Sequence, residues 1–432
     1  MVQEVIYMKN ERLLLMILAV VQFSHIIDFM MIMPLGAQLM RVFDISPQAF
    51  SLIVTSYAIT AAVACLISAM FIDRFDRKQV LLWGYIGFTI GTLACAFSTS
   101  YYMLLIARSI TGIFGGVLSG IVLSIVGDVI PIERRGTAMG FIMMAFSVAS
   151  VVGVPMGLFL ASLYDWSMPF LIVGLIGCMF VFVIYYGVPS IKKHLENGVP
   201  SVQSFGVILN ILKNTNQRRA LFFSLIMMLG HFTIIPFIAP YMTLNIGFSE
   251  LEISYIYLIG GLCTMITLPF FGRLSDRVGH QRVFMIMCTF TLIPIFMITH
   301  LPAVGIPLAL VVTSTFFITA SGRSVPAVTM ITAVVTAKNR GSFMSVRNAV
   351  NEVSLGLSSL MAGLIVTENP VTKQLENYNY VGYLAMALSL LAVWLGSRLV
   401  MVKEEEQSKA VNDIERDVKD EEILDAEMVT NS

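Results

Sequence analysis

Apolar residues run along this chain in long stretches, each closed by a short polar segment. A helix of about 20 residues crosses a hydrocarbon layer ~30 Å thick, and most of these stretches reach that length. Lipid offers no water to the backbone, so a helix, which bonds its own amides and carbonyls, is the solution. A membrane β-barrel would show short alternating segments instead. The pattern predicts helices near residues 13–38, 48–70, 79–97, 103–128, 137–163 and 167–188. A second six follow near 220–244, 250–271, 282–300, 304–334, 342–366 and 379–401. The first run, from Leu13 to about Met33, is too long for the apolar part of a signal peptide and lacks a clear cleavage site. The expected fold class is an all-α membrane protein of about twelve transmembrane helices in two halves.

The longest polar interruption, Pro189–Arg219, sets the division. Residues 1–190 form the N-terminal six-helix half, 191–219 a central loop, and 220–402 the C-terminal six-helix half. Residues 403–432 are a charged tail that should stay solvated and disordered. The loops on one side collect Lys9, Arg12, Arg74, Arg77, Lys78, Arg134, Arg135, Arg273, Arg277, Arg282, Lys338 and Arg340, with further basic residues in the central loop. The opposite loops hold only Arg41 and Lys373. Short positive loops stay inside, so both termini are expected in the cytoplasm.

Composition agrees: 57% of residues are apolar and only 12% charged, against about 25% charged in soluble domains. The formal net charge is zero, which gives no reason to expect a nucleic-acid partner. Cys65, Cys95, Cys178, Cys263 and Cys288 all lie inside apolar runs and read as small core residues, not as a disulfide frame or metal site. No phosphate-binding glycine loop with lysine, no H-E-x-x-H and no G-x-S-x-G occurs, so neither ATP hydrolysis nor another enzymatic activity is expected. No cofactor is expected, and the chain reads as a monomer.

The halves repeat each other. After helix 2 comes Asp73-Arg74-Phe75-Asp76-Arg77-Lys78, and after helix 8 comes Gly272-Arg273-Leu274-Ser275-Asp276-Arg277-Val278-Gly279. After helix 4 stands Glu133-Arg134-Arg135-Gly136 with Met139, and after helix 10 Lys338-Asn339-Arg340-Gly341 with Met344. Repeated halves are a transporter architecture, with the substrate site between them near mid-membrane. Helix 4 also spaces Gly112, Gly116 and Gly120 every four residues after Arg108, and helix 5 carries Ala149, Gly153, Pro155 and Gly157. Small residues at that spacing let helices approach closely.

These motifs resemble the major facilitator superfamily, over helices 1 through 12. The family signature G-x-x-x-D-R-x-G-R-R/K is matched by Ala69-Met70-Phe71-Ile72-Asp73-Arg74-Phe75-Asp76-Arg77-Lys78, with both glycines replaced. The second copy keeps Gly272, Asp276, Arg277 and Gly279. The resemblance implies a cytoplasmic gate in which Asp73, Arg74 and Arg77, with Asp276 and Arg277, lock the halves, and Asp128 partners Arg77. Arg108-x-x-x-Gly112 is similar to the arginine motif of proton-coupled members. The segment Gly153-Val154-Pro155-Met156-Gly157 resembles the form found in the bacterial drug and sugar efflux branch. It departs from the antiporter pattern, since the first glycine is Ala149 and the proline falls one position late.

Ionisable residues inside helices mark the site. His25 and Asp28 lie in helix 1, Arg108 in helix 4, His231 in helix 7, Arg323 in helix 10, and Arg347 and Glu352 in helix 11. Helices 3, 6, 9 and 12 have none in their interiors. A charge at the bilayer centre costs roughly 2.5–3.5 kcal/mol, so each must face protein or water. A rise of about 1.5 Å per residue places Asp28 ~22 Å from the inner end of helix 1 and Arg108 roughly 30 Å from that of helix 4, both in the outer half. Arg323 at ~16 Å and Glu352 at ~15 Å also share a level. The expected pairs are Asp28 with Arg108 and Glu352 with Arg323, each readable as a fixed staple or as a proton-coupling site. His25 and His231 are candidate proton carriers or packing residues. Phe23, Phe29, Phe232, Phe237 and Tyr241 would give the cavity apolar walls. Three functions fit: a proton-coupled exporter of drugs, sugars or metabolites; an uptake symporter or facilitator; and a non-transporting receptor or scaffold.

Overall fold

The computed structural model describes residues 2–192, 210–335 and 340–401. Each apolar stretch becomes a helix. The first half comprises α1 (Val2–Met31), α2 (Pro47–Phe71), α3 (Arg77–Ala96), α4 (Tyr101–Val129), α5 (Ile132–Val148, resuming as Val154–Leu163) and α6 (Met168–Gly187). The second comprises α7 (Thr215–Phe232, resuming as Ile235–Tyr241), α8 (Glu250–Val278), α9 (His280–Thr299), α10 (Ile306–Thr332), α11 (Arg340–Ile365) and α12 (Tyr378–Ser397). Among the described residues, eleven helices are long and apolar enough to cross a membrane. The remaining spanning helix, α11, is less apolar because it carries Arg340, Arg347, Glu352 and a series of serines. A two-stranded hairpin, β1 (Thr367–Glu368) and β2 (Leu375–Glu376), joins α11 to α12.

Local chemistry sets the departures from the expected boundaries. Helix 1 does not continue unbroken to residue 38: α1 ends at Met31, and a short helix, Gly36–Phe43, restarts after turns containing Pro34. Proline has no N–H for the helical ladder. The same chemistry breaks α7 around Pro236. In α5 a wide π turn, Ala149–Gly153, immediately precedes Pro155 and takes up the mismatch that its ring imposes. Helix 8 runs past residue 271 to Val278, stopping at Gly279 with φ 101°. The second copy of the loop motif is therefore helical, not a loop. The central-loop residues 193–209, Lys338, Asn339 and the tail from 402 lie outside the described residues.

Packing differs between the two faces of the molecule. On the face carrying the termini, one apolar cluster (Leu18, Tyr85, Ile121, Ile184) belongs wholly to the first half, and another (Phe223, Phe284, Ala327, Leu395) wholly to the second. On the opposite face one cluster runs through both, including Phe50, Phe170, Phe237, Phe316 and Leu355. Polar seams reinforce that closure. Thr55 Oγ1 donates to the Gly356 carbonyl at 3.1 Å, and Ser359 Oγ to that of Ser51 at 3.2 Å, tying α2 to α11. At Gly261 of α8 a Cβ would stand 3.0 Å from the Ser150 carbonyl, so α5 and α8 meet almost backbone to backbone. Arg41 and Glu250 form an exposed ion pair at 3.3 Å on the same face. Trp83, Phe182, Phe290 and Trp394, one on each of α3, α6, α9 and α12, are exposed. These are the helices whose interiors lack charge.

Candidate transport site

In the first half the charged side chains converge. Arg108 Nη1 donates to Asp28 Oδ2 at 2.7 Å, and both side chains are fully buried. Thr92 Oγ1 donates to the other carboxylate oxygen at 3.1 Å. The guanidinium lies 4.4 Å from the centre of the Tyr57 ring, a cation–π contact. The equal depths of Asp28 and Arg108 thus end in a bonded pair. His25 is buried between the rings of Tyr57 and Phe88, at 6.1 and 6.2 Å, and neither of its nitrogens has a hydrogen-bond partner. The Tyr57 hydroxyl and the Nε and Nη2 of Arg108 are likewise buried without one.

The glycines of α4 make this arrangement possible. A Cβ on Gly112 would collide with the Tyr57 carbonyl, and one on Gly116 with that of Ala61, so α2 and α4 touch along their backbones. Gly120 is not part of that seam, because a Cβ there would meet only Ser68 Oγ at 3.8 Å. In α5, Gly153 and Gly157 make room for Ile27 and Met31 of α1, whose side chains would stand 2.5 Å from an added Cβ.

The second half departs from expectation. Arg323 does not meet Glu352. Its Nη2 contacts His231 Nδ1 at 3.0 Å and its Nη1 donates to Ser389 Oγ at 3.1 Å. Equal depth fixed the level of the two residues but not the side of the helix they occupy: Arg323 turns inward to α7 and α12. Glu352 has no ion pair or hydrogen bond among the described residues. Its helix packs along α2 of the other half, where Gly356 stands against Ile59 and Ala58. The Glu352 side chain keeps some accessible surface. Arg347, also buried, donates from Nε to Ser224 Oγ at 3.3 Å. Phe23, Phe29 and Phe232 are partly buried, but Phe237 is fully buried edge-on to Phe50 at 5.8 Å. Tyr241 donates to the Leu301 carbonyl at 3.0 Å. Phe237 and Tyr241 belong to the seal on the far face and not to a cavity wall.

At the terminal face Arg77 Nε bonds Asp128 Oδ2 at 2.7 Å, and its Nη1 donates to the Ile72 carbonyl at 2.9 Å. This pair joins α3 to α4 inside one half and does not bridge the halves. Arg74 is exposed, and the side chain of Asp73 lies outside the described residues. Asp276 and Arg277 are both exposed, Asp276 lying 4.0 Å from His280 Nε2. The most engaged carboxylate of the loop is Asp76, which replaces a signature glycine. It caps α3 through the Lys78 N–H at 3.0 Å and accepts from Ser190 Oγ at 2.5 Å and Ile191 N–H at 2.9 Å. Burial alone would push its carboxyl up, but these bonds and the charge of Lys192 carry it below the ordinary aspartate range.

Tyr57, Thr92, Ser389 and Asp76 were not among the expected site residues. A search for buried charge passes over hydroxyls, and Thr92 and Ser389 sit on α3 and α12, which have no ionisable interior. The described residues contain no group of His, Cys, Asp and Glu able to hold a metal. Cys178 is exposed on α6, unlike the buried Cys65, Cys95 and Cys288.

Two six-helix bundles, each with a buried arginine on its fourth helix, define a membrane transporter built of repeated halves. The chain belongs to the Major Facilitator Superfamily, whose family model matches residues 18–226 and again 220–424. It is a multi-pass membrane protein of that family. Among relatives, it is 24% identical over 230 residues to a putative transporter, AraJ, of Escherichia coli, covering 53% of this chain and 57% of that one. The chain thus spans a little over half the length of that relative. It is 23% identical to the MFS-type transporter YwfA of Bacillus subtilis over 84% of this chain and 86% of that protein. Two solved structures share the fold. A bacterial homologue of the human lysosomal transporter Spinster, inward-facing and occupied, superposes with a TM-score of 0.73 at 17% identity, over 90% of this chain and 98% of its own. A D-xylose–proton symporter gives 0.73 at 15%, over 90% and 98%.

Proposed function

We propose that this chain is a proton-coupled exporter of small organic solutes, working by alternating access as a monomer in the bacterial plasma membrane with both termini in the cytoplasm. The observation that carries this reading is the occluded pair of Asp28 and Arg108, 2.7 Å apart. A carboxylate in a dry site holds its charge only while the arginine and Thr92 hold it. Protonating Asp28 removes the attraction that fastens α1 to α4, and restoring the pair releases the proton. Coupling follows if the two arrangements open to opposite sides. The closure of the face away from the termini, with separate cores on the terminal face, supports an inward-open state. In this reading His25 and His231 are candidate proton carriers, and Arg323 and Glu352 belong to the cavity. Arg74, Arg77, Asp128, Asp276 and Arg277 belong to the cytoplasmic gate. Uptake by symport is the second reading, favoured by the departure of Ala149 and Pro155 from the antiporter pattern.

Asp28→Asn keeps size but cannot change charge. In proteoliposomes the variant should insert and exchange solute down the solute's own gradient, yet lose pH-driven flux. A folded Asp28→Asn transporter that still follows the proton gradient would sink the assignment. The sign of the pH change in everted vesicles on adding solute separates export from uptake.

A further inference from the structure

Between α7 and α11 stands a group of hydrogen-bond donors for which the described residues supply no acceptor. Arg347 of α11 is only 6% exposed and is held by one bond, from Nε to Ser224 Oγ of α7 at 3.3 Å. Ser224 passes its own proton to Asn351 Oδ1 at 2.9 Å, so the asparagine oxygen is engaged and its amide nitrogen turns away from Ser224. Arg347 and Asn351 are four residues apart on α11, which puts them on one face, a turn apart. Nη1 and Nη2 of Arg347 and Nδ2 of Asn351 have no partner among the described residues. None of the three is sealed in, in contrast to Nε and Nη2 of Arg108. Arg347 also has no ion pair among the described residues. We propose that Arg347 and Asn351 form a binding site for the acidic group of a small organic anion, with Ser224 as the residue that positions them. This rests on the transport reading and adds the substrate class.

Donor chemistry and charge select the class together. The open edge of the guanidinium is a planar fork that matches the two oxygens of a carboxylate or the oxygens of a phosphonate. The Asn351 amide adds N–H donors on the same face. An ammonium group would meet a like charge and find no acceptor. A neutral polyol would leave the guanidinium uncompensated in a poorly solvated site. Glu352 does not cancel the charge from the same helix, because five residues beyond Arg347 it lies about 140° around α11 and ~7 Å along it. Arg323 is not part of the group, since His231 and Ser389 already engage it. Depth gives the side of approach. Arg347 lies about 10 Å from the terminal-face end of α11 at Arg340, and Ser224 about 13 Å from that of α7 at Thr215. On that face the two halves keep separate cores, so an anion would reach the fork from the side of the termini.

The test uses the purified full chain in neutral detergent, without a gradient, so that binding is read apart from coupling. The probes are arylalkyl carboxylates and phosphonates, each matched by the amide and the amine of the same skeleton, with binding read as thermal stabilisation over a titration. The anions should stabilise the protein, and their affinity should fall by about tenfold or more in Arg347→Gln. Asn351→Asp, which sets a carboxylate beside the guanidinium, should abolish anion binding while the protein keeps its fold. Ser224→Ala should weaken binding by a few-fold, about the effect of one hydrogen bond. An Arg347 that only fastens α11 to α7 predicts instead a lower melting temperature in Arg347→Gln with anion affinity unchanged, which overturns the site. If Arg347→Gln does not fold, Arg347→Lys and Asn351→Asp carry the test, and unchanged anion affinity in both overturns it. Absence of stabilisation by any anion, or equal binding of the matched amides or amines, also does so. An anionic lipid headgroup offers the same chemistry, so phosphatidylglycerol is added in a separate titration; stabilisation by that lipid through Arg347, with none by the soluble anions, overturns the solute assignment. Anion binding through Arg347 without proton-coupled flux refutes the coupling role of Asp28 alone; coupled flux without an anion preference refutes this site alone.

Discussion

Arg108 and Arg323 occupy corresponding places, each on the fourth helix of its half, fully buried and reached by the first helix of that half. Each also lies beside a buried cysteine of the third helix, Cys95 for one and Cys288 for the other. Their partners differ in kind. Arg108 has a carboxylate, whereas Arg323 has an imidazole and a hydroxyl. Among the described residues, one scaffold thus carries a neutral ion pair in its first half and a cation without a carboxylate partner in its second. Only the first can switch between pairing and separation by taking up one proton at a carboxylate. The second remains a cation at every step and fastens α7 and α12 to α10.

Three changes would break or sharpen that contrast. The largest effect is expected from Asp28→Ala, which strands Arg108 as a buried charge and should destabilise the protein by about 3–5 kcal/mol. Adding Arg108→Met should restore part of that loss in thermal unfolding; additive losses would show that the two residues are not coupled. A smaller effect of opposite sign is expected from His231→Asp, which gives Arg323 the counter-ion its counterpart has. Stability should rise by about 1 kcal/mol or more, the scale of a charge-assisted hydrogen bond. An unchanged or lower melting temperature would mean that the geometry of α7 cannot present a carboxylate to Arg323. The smallest lies away from the pair, at Asp76. Its depressed carboxyl contributes stability above the ordinary aspartate range, and that contribution is lost as pH falls through its folded value. Asp76→Ala should cost about 1 kcal/mol at neutral pH, as loss of a helix cap does, and progressively less in acid. A pH-independent cost would remove the carboxylate's charge from the account.

The helices were legible because long apolar runs are a strong signal, and depth sufficed to pair Asp28 with Arg108 because each helix offered one charged partner at that level. The same arithmetic failed for Glu352. A residue's height follows from counting, but its direction around the helix depends on which neighbour the helix meets, and α11 lies against α2 of the other half. Against the family signature Asp76 counts only as a lost glycine, although aspartate is a strong helix N-cap. The closure of one face was not legible either, since one sequence serves every state of the transport cycle.

The polarity of α11 has a consequence for how the chain is made. Arg347 and Glu352 each carry an insertion penalty of up to roughly 2.5–3.5 kcal/mol if the helix enters lipid alone. Its serines add little apolar drive of their own. The groups that relieve this cost, Ser224 of α7 for Arg347 and the α2 backbone for Ser359, belong to segments synthesised earlier. This helix should therefore leave the translocon late and only against a bundle already assembled. A chain whose α7 failed to dock would offer it no such surface, and the cell's membrane proteases would meet the last two spans first.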